Sequence, residues 1–157
     1  MVSTSLAKNL DNVTFFKKGT VIFAEGLPSK YLYMIKSGEV RLVKNKNNKL
    51  FSLGILKEKE ILNEVSILTK TPNSYTAITN TDVELVLVAE KDLRAVLDSG
   101  PKWVDELFQT LCERLEAVQE VIEEHQMKDL NEDKDLMLTK EQEIEFTALI
   151  RSYKADK

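Results

Sequence analysis

A chain of 157 residues, 43% of them apolar and 31% charged, can build one domain with a sizeable core and is too apolar to be disordered. Five Gly and three Pro exclude collagen-like or Gly-rich linker character, and a lone cysteine, Cys112, excludes an intrachain disulfide and any cysteine-based zinc site. The net charge of −4 is unevenly spread: residues 1–100 carry 14 Lys and Arg against 11 Asp and Glu, residues 101–157 carry 8 against 15, and so acidic a C-terminal third suits phosphate backbones poorly.

Residues 1–12 form a short N-terminal segment with no apolar stretch of the signal-peptide kind. The longest apolar runs, Tyr31–Ile35 and Leu85–Ala89, are far too short to span a bilayer. The expectation is a protein of a reducing, cytoplasmic compartment with no membrane insertion.

Residues 13–100 read as a β domain. Tyr31, Tyr33 and Ile35 alternate with Leu32 and Met34, Gly38 interrupts, and Val40 and Leu42 resume the pattern. Asn45-Lys46-Asn47-Asn48 is a polar turn of residues that tolerate left-handed backbone. Leu50, Ser52 and Gly54 then alternate with Phe51, Leu53 and Ile55. In the last strand Val83, Leu85 and Leu87 oppose Val86 and Val88. Several short strands at close spacing predict a sandwich or barrel.

At Glu90 the period changes to helical, with Leu93, Val96 and Leu97 on one face and Ser99-Gly100-Pro101 as the stop. Residues 101–127 predict a long helix starting near Lys102, about 39 Å in length. On it Phe108, Leu111, Leu115, Val118, Ile122 and His125 follow a 3, 4 spacing, the seam of a coiled coil over nearly three heptads. Residues 128–157 are an acidic tail. Lys128–Asp135 reads as a break, Thr139 and Gln142 form a candidate capping box, and Ile144, Phe146, Leu149 and Ile150 give a final short helix a modest apolar face.

Enzyme chemistry has little to stand on. The single histidine, His125, lies 13 residues from Cys112 on one helix, about 19–20 Å away, so the two form no nucleophile pair. No zinc-helix motif, phosphate loop or dinucleotide fingerprint occurs. His125 reads as a polar seam or surface residue and Cys112 as a small buried apolar one. No catalytic residue, metal site or resident cofactor is expected.

The glycines carry more. Gly19 and Gly26 bracket Ile22, and Gly38 follows Tyr33 and Ile35 and precedes Val40, each where one strand yields to the next and a positive φ is called for. Over residues 13–118 this spacing resembles the cyclic-nucleotide-binding domain family, to which catabolite activator protein and the regulatory subunits of protein kinase A belong. The resemblance implies a mainly β fold with α: a jelly-roll β-barrel followed by a long helix, here with a short helical tail.

That family holds its ligand in one segment, which looks like Gly-Glu-Leu-Ala-Leu-Leu followed after a few residues by Pro-Arg-Ala-Ala. The matching stretch here is Leu62 to Ala77. The resemblance places Glu64 where the family carboxylate meets the ribose, Ser66 within the cassette helix, and Ser74 beside the base or phosphate. Asn63 replaces the cassette glycine, Lys59 the glycine before it, and Tyr75 a small residue. Asn73 replaces the arginine that grips the cyclic phosphate. A neutral amide contributes about 1 kcal/mol where a charge-assisted bond contributes about 1.5–3, and a buried unpaired charge costs more. A loss of roughly 3 kcal/mol is over a hundredfold in affinity. Lys59 or Lys70 is either a substitute cation or a solvated lysine, and Glu64 is either a ligand or a structural partner of the cassette helix.

In the catabolite-activator branch a dimer helix leads to a DNA-reading domain. Here the residues after the long helix are few and acidic, so no direct DNA binding is expected. The seam packs either on the barrel or on a second copy, and its reach beyond Leu115 favours a homodimer. Two functions follow. One is a homodimeric interaction module without ordinary cAMP or cGMP binding, acting on another signalling protein. The alternative is a sensor of cAMP, cGMP or a related nucleotide through a remodelled pocket.

Overall fold

A computed structural model of the chain describes residues 12–129 and 137–157, the side chains of 119–129 excepted. Its elements are β1 (Val13–Phe16), β2 (Val21–Phe23), β3 (Tyr31–Ser37), β4 (Val40–Lys46), β5 (Lys49–Leu56), β6 (Ile61–Leu62), α1 (Glu64–Thr69), β7 (Thr76–Thr79), β8 (Val83–Ala89), α2 (Glu90–Asp98), α3 (Lys102–Asp129) and α4 (Lys140–Ala155). The strands form two antiparallel four-stranded sheets, ordered β1-β8-β3-β6 and β2-β7-β4-β5, the jelly-roll arrangement that the family resemblance implies.

Strand alternation fills the interior. Tyr33 and Ile35 from β3, Val40 from β4, and Val83 and Leu85 from β8 meet Ile22, Phe23, Leu62 and Ala77 in one buried cluster, with Tyr75 and Leu87 packed against it. The β4–β5 connection is the polar turn read from the sequence. Lys46 pairs with Lys49, and Asn47 and Asn48 both take positive φ, 54° and 61°, as a tight hairpin of the right twist requires. Gly38 turns β3 into β4 at φ 90°. A Cβ there would collide with the Asp82 carbonyl and stand 2.9 Å from both Thr81 Oγ1 and Val83 Cγ2, so the position needs glycine for space as well as for conformation.

Helix α2 ends as the Gly-Pro stop implies, with Gly100 N–H donating to the Leu97 carbonyl at 3.1 Å. Helix α3 runs 28 residues, about 42 Å, and carries two residues of the expected break. The rest of that break, 130–135, lies outside the described residues. On α3 the Cys112 side chain is buried, as its apolar reading required.

Helix α4 has the full capping box, with the Thr139 side chain accepting from Gln142 N–H and the Gln142 side chain accepting from Thr139 N–H. It docks on the outer face of the β2-β7-β4-β5 sheet of its own chain. There Leu138, Phe146, Leu149, Ile150 and Tyr153 cover Val21, Ala24, Val43 and Ile78. The expected apolar face needs correcting at Ile144, which is 72% exposed. At 100° per residue Ile144 lies nearly opposite Phe146 and Leu149, and the stripe is completed by Tyr153, which a hydropathy reading passes over.

Candidate functional site

The cassette begins where β6 hands over to α1. Asn63 caps the helix in left-handed backbone, φ 70° and ψ 17°, the conformation a glycine would supply. Its side chain is buried. Nδ2 donates to the Tyr31 carbonyl at 3.1 Å, and Oδ1 has no partner among the described residues. Glu64 follows as the first residue of α1 and is exposed. Among the described residues no hydrogen bond reaches its carboxylate, so the structural role of accepting backbone N–H bonds is not seen; its charge simply complements the N-terminal end of the helix. Ser66 is buried, and its carbonyl accepts from the N–H groups of Lys70 and Thr71 where the helix closes.

Asn73, at the position of the family arginine, is 3% exposed and its amide is engaged at both ends. Nδ2 donates to the Ala24 carbonyl at 3.1 Å, and Oδ1 accepts from Ser29 Oγ at 2.8 Å. Its backbone adds two more ties: Gly26 N–H donates to the Asn73 carbonyl, and Asn73 N–H donates to the Leu27 carbonyl. The residue pins the β2–β3 connection to the cassette, and Pro28 bridges to Pro72 beside it. Ser74 next to it is half-buried.

Tyr75 turns inward. Its ring lies 5.5 Å from that of Phe23, which stacks in turn on Tyr33 at 5.4 Å. Its hydroxyl accepts from Asn63 N–H at 3.0 Å, so the side chain spans the interior from the end of the cassette to its beginning. Burial pushes the Tyr75 phenol far above its ordinary range; the Asn63 hydrogen bond opposes the shift and the Glu64 carboxylate adds to it.

Among the described residues no cation takes the arginine's place. Lys59 is exposed, in left-handed backbone at φ 72°. Lys70, exposed at φ 57°, stands on the rims of two clefts, one of about 350 Å³ beside Pro72 and one of about 500 Å³ beside Arg94, Glu113 and Glu116. Neither cleft is lined by Asn63, Glu64, Asn73, Ser74 or Tyr75. Arg41 is the one buried cation among the described residues. Alternation along β4 turns it away from the face of Val40 and Leu42, and it donates from Nη1 to Ser52 Oγ at 3.1 Å.

The seam residues of α3 face solvent in the single chain: Phe108, Leu111, Leu115 and Val118 are 40–51% exposed. Trp103 and Leu107 widen the same apolar stripe. The side chains of Ile122 and His125 lie outside the described residues. Cys112, one helical turn from Phe108 at the edge of this stripe, is buried, and its thiol is pushed up by burial and then by the carboxylates of Glu116 and Glu64. Among the described residues no group of acids, His and Cys is arranged to hold a metal, and no helix is long and apolar enough to cross a membrane.

Sequence reasoning missed the Asn73–Ser29 pair and the bond from the Tyr153 hydroxyl to the Ile22 carbonyl. Both join residues more than 40 positions apart, and no local pattern encodes them.

Comparison with known proteins agrees with this geometry. Residues 13–99 match the cyclic nucleotide-binding domain. A Mycobacterium tuberculosis protein described as a CRP-like cAMP-activated global transcriptional regulator is 31% identical over 112 residues, 71% of this chain and 50% of that protein. The chain thus spans about half the length of the curated relatives it matches over that stretch. Among solved structures, the cAMP-bound form of the EAL enzyme Bd1971 superposes with a TM-score of 0.63 at 23% identity, covering 76% of this chain and 32% of the other. The Thermus thermophilus catabolite activator protein does so with a TM-score of 0.62 at 20% identity, covering 80% and 60%. Likenesses at that identity speak for the fold.

Proposed function

Because the chain belongs to the cyclic nucleotide-binding domain family, we propose that it is a non-enzymatic regulatory module that has given up the usual grip on cAMP and cGMP. Its message leaves through contacts with another signalling protein, and two copies pair along α3. The observation that carries this reading is the state of Asn73. Both ends of its amide are engaged by Ser29 and Ala24, and among the described residues no cation stands in for the guanidinium that a buried cyclic phosphate needs. Tyr75 supports it by filling the interior where a small residue would leave room. The exposed stripe on α3 supports pairing, since a seam of that spacing buries its knobs against a second helix. The one described helix after α3 uses its apolar side on the barrel, which argues against a DNA-reading role for it.

A second reading has its own support. Asn63 keeps the left-handed turn of the cassette glycine, Glu64 stands free at the start of α1, and the Mycobacterium relative is described as cAMP-activated. On that reading the chain senses cAMP, cGMP or a related nucleotide through a remodelled pocket. Calorimetric titration decides between them. The interaction module shows no binding tighter than the high micromolar range for either nucleotide, and submicromolar binding of either one overturns it.

A further inference from the structure

The ladder between β2 and β7 slips by one residue: Val21 pairs with Ile78 and Phe23 with Ala77, leaving Ile22 as a bulge. Two consecutive side chains, Ile22 and Phe23, therefore both enter the inner cluster, while Val21 and Ala24 face α4. A bulge also frees a backbone group from the ladder. Here the Ile22 carbonyl finds its partner outside the barrel, accepting from the Tyr153 hydroxyl of α4 at 3.1 Å.

Residues 21–27 are thereby held from both sides. On one side α4 covers Val21 and Ala24, against which Leu27 also packs, and bonds Ile22. On the other, the cassette holds Phe23 through the Tyr75 ring, and holds the backbone of Ala24, Gly26 and Leu27 through Asn73. We propose that this strip couples the two: the seating of α4 and the closed arrangement of the cassette stabilise each other, so that α4 is a detachable helix that reports the state of the cassette. A sixteen-residue helix is marginal alone in water, so α4 holds its form by docking and belongs to the part of the molecule that opens first. Coupling between two sites through a shared element is reciprocal. It stands whether a nucleotide or a protein displaces the cassette, and the nucleotide titration above does not bear on it.

The test is amide hydrogen exchange on the full chain, read separately in α4, in the cassette (residues 62–77) and in β8 as reference. Tyr153→Phe removes the hydroxyl and keeps the ring. It should speed exchange in the cassette as well as in α4, by about fivefold for the loss of one hydrogen bond, with β8 unchanged. Tyr75→Phe, which removes the acceptor of the Asn63 N–H, should in turn speed exchange in α4. Thr139→Ala loosens α4 at its cap and touches nothing in residues 21–27, and it should give the same cassette response. Faster exchange confined to the mutated side, or an equal rise in β8, overturns the coupling.

Discussion

The Tyr75 hydroxyl and the Asn63 backbone N–H meet at 3.0 Å, closing the cassette on itself. An amide at the entrance of α1, where an anion would be welcome, is satisfied by a phenol from the protein's own chain. Asn73, tied to Ser29 and Ala24, fastens the same segment to the β2–β3 connection.

Reversing both departures should reopen the site. Asn73→Arg with Tyr75→Ala supplies a cation and the space for a ring, and calorimetry should then show cAMP or cGMP binding tighter than that of the parent chain. If the double variant folds and still evolves no heat, the interior is closed by more than these two residues.

Asn73 should matter for folding regardless of ligand. Asn73→Ala removes one hydrogen bond from Ser29 Oγ, which keeps the Thr71 carbonyl, and one from the Ala24 carbonyl, which keeps the Leu27 N–H, and should cost about 1–3 kcal/mol in urea unfolding. A change within about 0.5 kcal/mol would mean that the β2–β3 connection is held by other contacts.

Tyr75 and Tyr33 are both held protonated by burial, above their ordinary value of 10.0. The folded chain keeps these protons more tightly than the unfolded one. The stability they contribute is therefore fully present below about pH 10 and is lost as pH rises beyond it, because the unfolded chain ionises first. Urea midpoints should be flat between about pH 7 and 9 and fall above about pH 10, and Tyr75→Phe should make the alkaline fall shallower. An unchanged slope in that variant would remove Tyr75 from the account.

Charging the exposed seam should separate the pair. Leu111→Asp with Leu115→Asp alters residues that already face solvent in the single chain, so the fold should persist by circular dichroism. Sedimentation should change from dimer to monomer. A doubly charged variant that still sediments as a dimer places the interface elsewhere.

Gly38→Ala should be among the most damaging single-methyl changes. It combines a positive φ with a collision against the Asp82 carbonyl. A loss of about 2 kcal/mol or more in urea unfolding is expected. A neutral outcome would show that the β3–β4 turn can move.

The parts of the fold that could be read in advance are those written in local period. Alternation in β3, β4 and β8, the Asn47-Asn48 turn, the Gly100 stop and the Thr139 cap each rest on a few adjacent residues. The cassette was legible because its residues lie in one stretch, and so the loss of the arginine showed at once. What Asn73 does instead was not legible, since Ser29 and Ala24 are 44 and 49 positions away. Tyr153 was hidden for another reason. Its ring completes an apolar stripe, but the group that matters is its hydroxyl, and the carbonyl it meets exists as an open acceptor only because the β2–β7 ladder slips.

The family match stops at residue 99, yet the sheet face formed by Val21, Ala24, Val43 and Ile78 is roofed by side chains from beyond residue 137. A fragment trimmed to the match would bare an oily plate on a barrel that lacks its lid. Such a truncation invites self-association and proteolytic clearance, so for expression and for engineered fusions the indivisible unit extends at least to Tyr153.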